Sequence, residues 1–173
     1  PDETIYQAAF HSLKKETWRH ALMLAQQAKD KQLAKVIVWL DYQRDETSAS
    51  FSEISLFVKA NPSWPRLHTL RRQAERNIKV TFDYAEIIKW FEEYPPLTGE
   101  GTLAYIGALS NTSQEDTAKA VLRKTWTTLK FQSVVQENRL VKLFGHYLTQ
   151  KEHAERLERL LWARETAAAE RIL

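Results

Sequence analysis

Residues 103–126, LAYIGALSNTSQEDTAKAVLRKTW, carry the pattern of two helices joined by a short turn. Leu103 and Gly107 lie on one side of the polar segment SNTSQED, and Ala118, Val121 and Leu122 lie on the other side, all at helical spacing. Small residues at these positions let two helices approach each other closely. The stretch therefore predicts an antiparallel helical hairpin.

Helical periodicity and small-residue faces recur along the chain. Apolar residues repeat at i, i+3, i+4 and i+7 in three further segments, residues 33–40, 84–91 and 140–147. An earlier segment has a small-residue face at helical spacing, formed by Trp18, Ala21, Ala25 and Ala28. No segment shows the apolar–polar alternation of a β-strand, so the chain is predicted to be all-α.

Capping signals mark where helices begin and end. In a capping box, the cap side chain and the carboxylate three residues later bond to backbone N–H groups. Three segments fit this box or its Asp variant: Ser50–Glu53, Ser113–Asp116 and Thr149–Glu152. Asp83–Glu86 is a close relative, and Pro65 suits the first turn of a helix. Asn61-Pro62 and Pro95-Pro96 end the helices before them, because proline lacks a backbone donor.

Together these signals predict eleven helices of about 10–16 residues. The helices begin within about 2–4 residues of positions 2, 17, 30, 50, 64, 83, 98, 113, 132, 149 and 165. The helix starts form two interleaved series, one at 17, 50 and 83 and the other at 30, 64 and 98. Each series repeats after about 33 or 34 residues, the length of a tetratricopeptide helix pair. We therefore predict an all-α fold, an α-α superhelix of about eleven antiparallel helices with tetratricopeptide-like stacking, in a single domain over residues 1–173.

Composition excludes several classes of protein. The 173 residues include no cysteine, which excludes disulfides and thiolate metal sites. The net charge of +3 is typical of an ordinary solvated surface, so no nucleic-acid partner is expected. No apolar run approaches the ~20 residues of a membrane span, so none is predicted. The chain begins at Pro1, and we expect that an upstream segment has been removed, a signal peptide being one candidate.

No catalytic constellation is recognisable in the sequence. The five histidines include no His-Glu-x-x-His motif and no i, i+4 pair, so no metal site is predicted. Gly99-Glu-Gly101 is expected to begin a helix rather than to bind phosphate. Paired acids such as Glu92 and Glu93, or Glu155 and Glu158, are typical of solvated helix faces. We predict no catalytic residue and no cofactor in this chain.

A basic cluster lies along one predicted helix, with Glu75 among its members: Arg66, Arg71, Arg72, Arg76 and Lys79. Two interpretations stay open, and ion pairing between helices is favoured over ligand contact. The candidate ligand-binding residues are the four arginines, because a guanidinium group binds carboxylates in two-pronged geometry.

Tryptophan recurs about once per predicted helix pair, and this recurrence favours packing in the core. An exposed tryptophan on a concave surface would instead suit a sugar ring or a peptide. The six positions are Trp18, Trp39, Trp64, Trp90, Trp126 and Trp162.

Two groups of segments suggest a family. The first group is ANPSWPR (60–66), LRRQAE (70–75), WF (90–91) and PPLTGEG (95–101). The second group is FG (144–145), LT (148–149), HAERL (153–157), RLLW (159–162) and TAAA (166–169). In this order and combination, the segments resemble the N-terminal region of proteobacterial soluble lytic murein transglycosylases.

The resemblance implies a periplasmic protein whose helical superhelix, called the U-domain, accompanies a lysozyme-like catalytic domain. That domain cleaves the glycan between N-acetylmuramic acid and N-acetylglucosamine and leaves a 1,6-anhydro product. The Glu-Ser motif of the catalytic domain is absent from this sequence, so no catalytic residue carries over, and the catalytic domain is expected beyond Leu173. The implied partners are peptidoglycan, that domain of the same chain and other cell-wall proteins.

The function that we expect is therefore a non-catalytic helical scaffold that supports, restricts or guides peptidoglycan for a catalytic domain. The alternative is an independent tetratricopeptide-like adaptor, which binds protein partners in its groove.

Overall fold

The computed structural model describes residues 1–15, 17–79 and 82–172. These residues form eleven α-helices and one short 3-10 helix, Gly145–Tyr147. The α-helices are α1 Asp2–Lys14, α2 Trp18–Ala25, α3 Gln32–Asp41, α4 Phe51–Ala60, α5 Leu67–Arg76, α6 Tyr84–Glu93, α7 Gly99–Asn111, α8 Glu115–Thr128, α9 Val134–Phe144, α10 Gln150–Trp162 and α11 Thr166–Ala169. No β-strand occurs in the described ranges. The predicted all-α fold is confirmed.

The helix starts agree with the predicted ones to within about three residues. Trp18, Phe51 and Tyr84 begin α2, α4 and α6, and they are 33 residues apart, as the predicted helix-pair repeat requires. Two helices are shorter than predicted, since α2 has 8 residues and α11 has 4. None of the helices in the described ranges is long and apolar enough to cross a membrane.

The chain divides into two compact units, Pro1–Gln73 and Ala74–Leu173. In the first unit, α1 packs against α2, and α2 packs against α3. In the second unit, α7 contacts α6, α8 and α9, and α8 contacts α10. The contacts of α7 with α9 and of α8 with α10 join helices two places apart, as in stacked helix pairs. The single domain over residues 1–173 stays a prediction.

Small residues of α2 and of the turn after it lie in the core of the first unit. Ala21, Ala25 and Ala28 are completely buried, and they share a cluster with Ala9 and Ile37. Alanine at these positions leaves room for neighbouring helices to pack closely. The predicted packing role is confirmed for these three alanines, whereas the tryptophan of the predicted face is only half-buried.

The small-residue contact predicted for residues 103–126 is confirmed on one helix only. Ala118 and Leu122 on α8 are completely buried. Gly107 on α7 faces open space, because a Cβ atom added there would meet no surrounding heavy atom within 4 Å. The prediction that Gly107 brings the two helices together is therefore wrong.

Two of the three predicted capping boxes are present. At α4, the Ser50 hydroxyl accepts a hydrogen bond from the Glu53 N–H at 3.2 Å, and the Glu53 carboxylate accepts one from the Ser50 N–H at 2.7 Å. Thr149 and Glu152 form the same arrangement at α10. Asp83 caps α6 with its side chain.

The third predicted capping box, Ser113–Asp116, does not form. Ser113 has a φ of 59°, in the left-handed region. Its N–H donates to the Ser110 carbonyl at 3.4 Å, and the Gln114 N–H donates to the Leu109 carbonyl at 2.9 Å. These two bonds form a Schellman motif, which ends a helix. Ser113 therefore terminates α7, and α8 begins without a side-chain cap.

Pro65 lies outside α5, contrary to the prediction. Arg66 has a φ of 58°, and the helix begins only at Leu67. A left-handed residue interrupts the helical backbone, so Pro65 belongs to the preceding turn. The helices before the other two proline segments end at Ala60 and Glu93, as predicted.

We predict that the capping box of α4 loses its stabilising effect in acid. Hydrogen bonds from the Ser50 N–H and hydroxyl lower the pKa of Glu53 below its ordinary value. The carboxylate therefore stabilises the fold above the pKa of an unfolded glutamate, about 4.3, and this effect is lost as the pH falls through the lower folded value. Ser50→Ala should reduce the free energy of unfolding by about 1 kcal/mol at neutral pH, and by less near pH 3, as measured by urea unfolding.

Ser133→Ala is the matched control for this measurement. The Ser133 hydroxyl caps α9 by accepting from the Val135 N–H at 3.2 Å, and the third residue of that helix is Gln136. Its loss should not change between the two pH values, because no capping carboxylate titrates. An equal loss for Ser50→Ala at both pH values would contradict the prediction.

Candidate functional site

The predicted ligand-binding arginines lie on or just before α5. Arg66 is exposed in the turn before the helix, and its Nη1 donates to Gln43 Oε1 at 3.1 Å. Arg76 is exposed at the end of the helix, and its Nη2 donates to Gln132 Oε1 at 3.0 Å. Both bonds hold the guanidinium groups against neutral amide oxygens.

The other two predicted arginines, Arg71 and Arg72, are half-buried. Burial, the largest cause, and the charges of Arg72 and Arg71 lower the pKa of the nearby His68 below its usual value. Arg66, Arg71 and Arg72 belong to the first unit, and Arg76 belongs to the second. Ligand contact by these four residues stays a prediction.

A cleft of about 920 Å³ lies in the first unit, beside α2, α3 and the segment that leads into α4. Trp18 and Tyr42 contribute aromatic rings to its lining, and Asp41, Arg44 and Glu53 contribute charged groups. We call it the α2–α3 cleft. Its volume falls in the range of about 300–1,000 Å³ that is usual for ligand sites.

The charged groups of the α2–α3 cleft hold one another in place. Arg44 Nη1 donates to Asp41 Oδ1 at 2.8 Å, and Asp41 Oδ2 accepts from the Thr47 hydroxyl at 3.1 Å. The Arg44 guanidinium also lies 4.4 Å from the centroid of the Trp18 ring. This cation–π contact holds the indole at the cleft, and the lining also includes the Glu46 side chain, which is 79% exposed.

Tyr42 is a neutral hydrogen-bonding group in this cleft. Burial, the largest cause, and the carboxylates of Glu53 and Asp41 raise the pKa of Tyr42 to about 12. The ring packs edge-on against Phe57, with 5.6 Å between the centroids. The hydroxyl therefore stays protonated at neutral pH.

The residues of the α2–α3 cleft suit a saccharide. The apolar C–H face of a sugar ring can pack on an indole, and carboxylates can accept hydrogen bonds from sugar hydroxyls. Sequence reasoning assigned Trp18 to helix packing and missed Asp41, Tyr42 and Arg44. Only the exposed tryptophan expected on a concave surface pointed toward such a site.

The tryptophans differ in exposure. Trp90 and Trp126 are each 2% exposed, which confirms their predicted packing in the core. Three others are half-buried: Trp18, Trp39 and Trp64. Trp162, the last residue of α10, is 83% exposed, so the core prediction is wrong for this residue.

Glu75, which the sequence placed among the arginines, is completely buried. Its carboxylate accepts from the Leu97 N–H at 3.0 Å and from the Thr98 hydroxyl at 2.7 Å, at the N-terminus of α7. A negative charge stabilises a helix N-terminus, where N–H groups lack partners within the helix. Glu75 therefore has a structural role in the second unit.

A buried ion pair joins α9 and α10. Arg156 is 1% exposed and Glu137 is 4% exposed, and Arg156 Nη2 lies 3.0 Å from Glu137 Oε1. The other oxygen of Glu137 accepts from Arg171 Nη2 at 2.9 Å. Nothing in the local sequence marks Glu137 or Arg156 as a buried residue.

The paired acids that the sequence predicts to be solvated lie at the surface. Glu92, Glu93, Glu155 and Glu158 are exposed, as predicted. Within residues 1–15, 17–79 and 82–172, no group of three or more His, Asp or Glu side chains could hold a metal ion.

Comparisons with protein-family models, with curated proteins and with solved structures yield no match to this chain.

Proposed function

We propose that this chain is the non-catalytic helical scaffold of a soluble lytic murein transglycosylase, and that it binds peptidoglycan glycan strands for a catalytic domain of the same protein. The whole enzyme would act in the periplasm during cell-wall turnover, cleaving between N-acetylmuramic acid and N-acetylglucosamine with a 1,6-anhydro product. Two features support the proposal. The resembling segments keep their order from residue 60 to residue 169, and the fold consists of packed helices.

The observation that carries the binding part of the proposal is the lining of the α2–α3 cleft. Trp18 and Tyr42 supply an indole ring and a neutral hydroxyl, and Asp41 and Glu46 supply carboxylates. A glycan strand presents hydroxyls, amides and apolar ring faces, and this lining has a partner for each of them. The Arg44 guanidinium can donate a hydrogen bond to the amide carbonyl of an N-acetyl group.

We predict that Trp18→Ala weakens binding of the chain to purified murein sacculi about tenfold, because ring packing contributes roughly 1–1.5 kcal/mol. Binding is measured by co-sedimentation, and circular dichroism checks the fold of each variant. Trp162→Ala is the matched control, because it removes the same side chain from an exposed site in the other unit. Glu46→Lys reverses a charge in the lining of the cleft. Its side chain is 79% exposed, so the substitution tests the same surface without disturbing the packing of the core.

The proposal is wrong if the chain does not sediment with sacculi. The assignment of the cleft is wrong if Trp18→Ala and Glu46→Lys both bind sacculi as the original chain does.

One observation favours the adaptor as a second candidate function. Leu161 and Trp162 at the end of α10 are 56% and 83% exposed. Exposed tryptophan is the residue type that most often dominates protein–protein binding energy. The chain would be an adaptor if it does not bind sacculi but binds a protein partner, and if the Trp162→Ala variant no longer binds that partner.

A further inference from the structure

A second concave surface lies in the second unit, where α6, α7 and α9 meet the segment after α5. It encloses about 310 Å³, at the lower end of the volumes of small-ligand sites, about 300–1,000 Å³. We call it the α7 groove. It lies in a different unit from the α2–α3 cleft.

The floor of the α7 groove is formed by small residues of α7. Ala104, Gly107 and Ala108 are spaced i, i+3 and i+4, and they line one face of the helix. A Cβ atom at Gly107 would meet no surrounding heavy atom within 4 Å, so the floor is open above this residue. The space at Gly107 can therefore receive a small aliphatic side chain of a ligand.

The walls of the α7 groove contain apolar side chains that the rest of the fold leaves exposed. Tyr84 on α6 and Leu143 on α9 occupy core-face positions of their helices by sequence, yet they are 39% and 48% exposed. Both line the groove, together with Ile87 and Phe144. Apolar side chains converging on a concave surface are typical of a binding site.

The charges around the α7 groove are mainly positive. Arg76, Lys79 and Arg139 line it against one carboxylate, Glu100, which accepts a hydrogen bond from Gln136 Nε2. In the described part of the chain, Lys79 and Arg139 form no ion pair, and both are exposed. A ligand that matches this surface carries carboxylates.

We propose that the α7 groove binds a short acidic peptide, with a small aliphatic side chain over Gly107 and carboxylates toward Lys79 and Arg139. A short peptide can carry both a small aliphatic side chain and carboxylates, because neighbouring residues can supply an apolar group and an anionic group. The groove is too small for more than a few residues. This inference does not rest on the α2–α3 cleft, because the two surfaces lie in different units.

The test is fluorescence polarisation of the whole chain with a labelled tetrapeptide, alanyl-glutamyl-alanyl-alanine with a free carboxyl terminus. The uncharged probe is the same peptide with glutamine for glutamate and an amidated terminus. We expect the acidic peptide to bind at least tenfold more tightly than the uncharged one, and added salt to reduce the difference. Equal binding of the two peptides, or no binding of the acidic one, would overturn the proposal.

Two variants locate the binding. Gly107→Leu should fill the floor and weaken peptide binding at least tenfold, and the open space there makes the substitution compatible with the fold. Arg139→Glu should weaken binding similarly, whereas the control Lys124→Glu reverses an exposed charge on α8, which contributes no residue to the groove, and should change binding little. Unchanged binding by both Gly107→Leu and Arg139→Glu would place the peptide elsewhere and overturn the proposal.

Inorganic phosphate distinguishes a general anion site from a peptide site. Phosphate at moderate concentration should displace the peptide no better than sodium chloride of the same ionic strength. If phosphate displaces much more peptide than sodium chloride does, the groove is a general anion site with no requirement for a peptide, and the inference is refuted.

Discussion

Arg156→Ala is expected to lower the free energy of unfolding by about 3–5 kcal/mol, the largest effect of any single substitution that we predict. The substitution leaves the carboxylate of Glu137, which is 4% exposed, without its buried partner. It also removes the donor to the Trp126 carbonyl at 3.0 Å and the guanidinium 4.4 Å from the Trp126 ring centroid. Arg171 still pairs with Glu137, but its side chain is 35% exposed and therefore screened by water.

Urea unfolding of Arg156→Ala and of the control Lys142→Ala tests this expectation. Lys142 is an exposed cation on α9, so its removal should change the free energy of unfolding by no more than about 0.5 kcal/mol. The double variant Arg156→Met/Glu137→Leu should recover part of the loss, because no unpaired charge stays buried between α9 and α10. A loss below about 1 kcal/mol for Arg156→Ala would mean that water reaches the Glu137 carboxylate.

Gly101→Ala is expected to destabilise the second unit by about 1–3 kcal/mol, because its side chain has no space. A Cβ atom on Gly101 would lie 2.6 Å from Glu75 Cδ and closer still to Glu75 Oε2. Glu75 is completely buried, and its hydrogen bonds with Leu97 and Thr98 hold it in place. The carboxylate cannot move aside without losing them.

Gly107→Ala, in the same helix, is the matched control. Its Cβ enters open space, so only the helix propensity changes, and stability should rise by about 0.5–1 kcal/mol. Urea unfolding of the two variants should therefore give opposite signs. The variant Gly101→Ala/Glu75→Ala should show coupling between the two sites, because removing Glu75 relieves the clash. Two glycine variants of equal stability would contradict the assignment of the Glu75 contact.

The helices could be predicted from sequence because their signals act over a few residues. Caps such as Ser50 and Thr149 bond within their own first turn, so the local pattern suffices. The capping-box prediction at Ser113 was wrong because serine can also adopt the left-handed conformation that ends a helix. The local pattern does not show whether such a serine ends the preceding helix or caps the following one. Arg66 shows the same limit, since its left-handed backbone delays the start of α5.

The candidate sites could be predicted only in part, because their residues meet across long separations. Glu137 and Arg156 are 19 residues apart, and Glu75 and Leu97 are 22 residues apart. The residues around Glu75 in the sequence do not distinguish it from exposed acids such as Glu92. Whether such a side chain is buried depends on which helix packs over it.

Gly99 and Gly101 serve for their missing side chains and not for their backbone freedom. None of the four glycines has a positive φ, whereas Ser113 and Arg164 turn the chain at the ends of α7 and α10. Gly99 and Gly101 instead let other side chains approach the first turn of α7. In an alignment of related sequences, a column of glycine should therefore mark the beginning of α7, and the left-handed corners at Ser113 and Arg164 should accept glycine or asparagine but no β-branched residue.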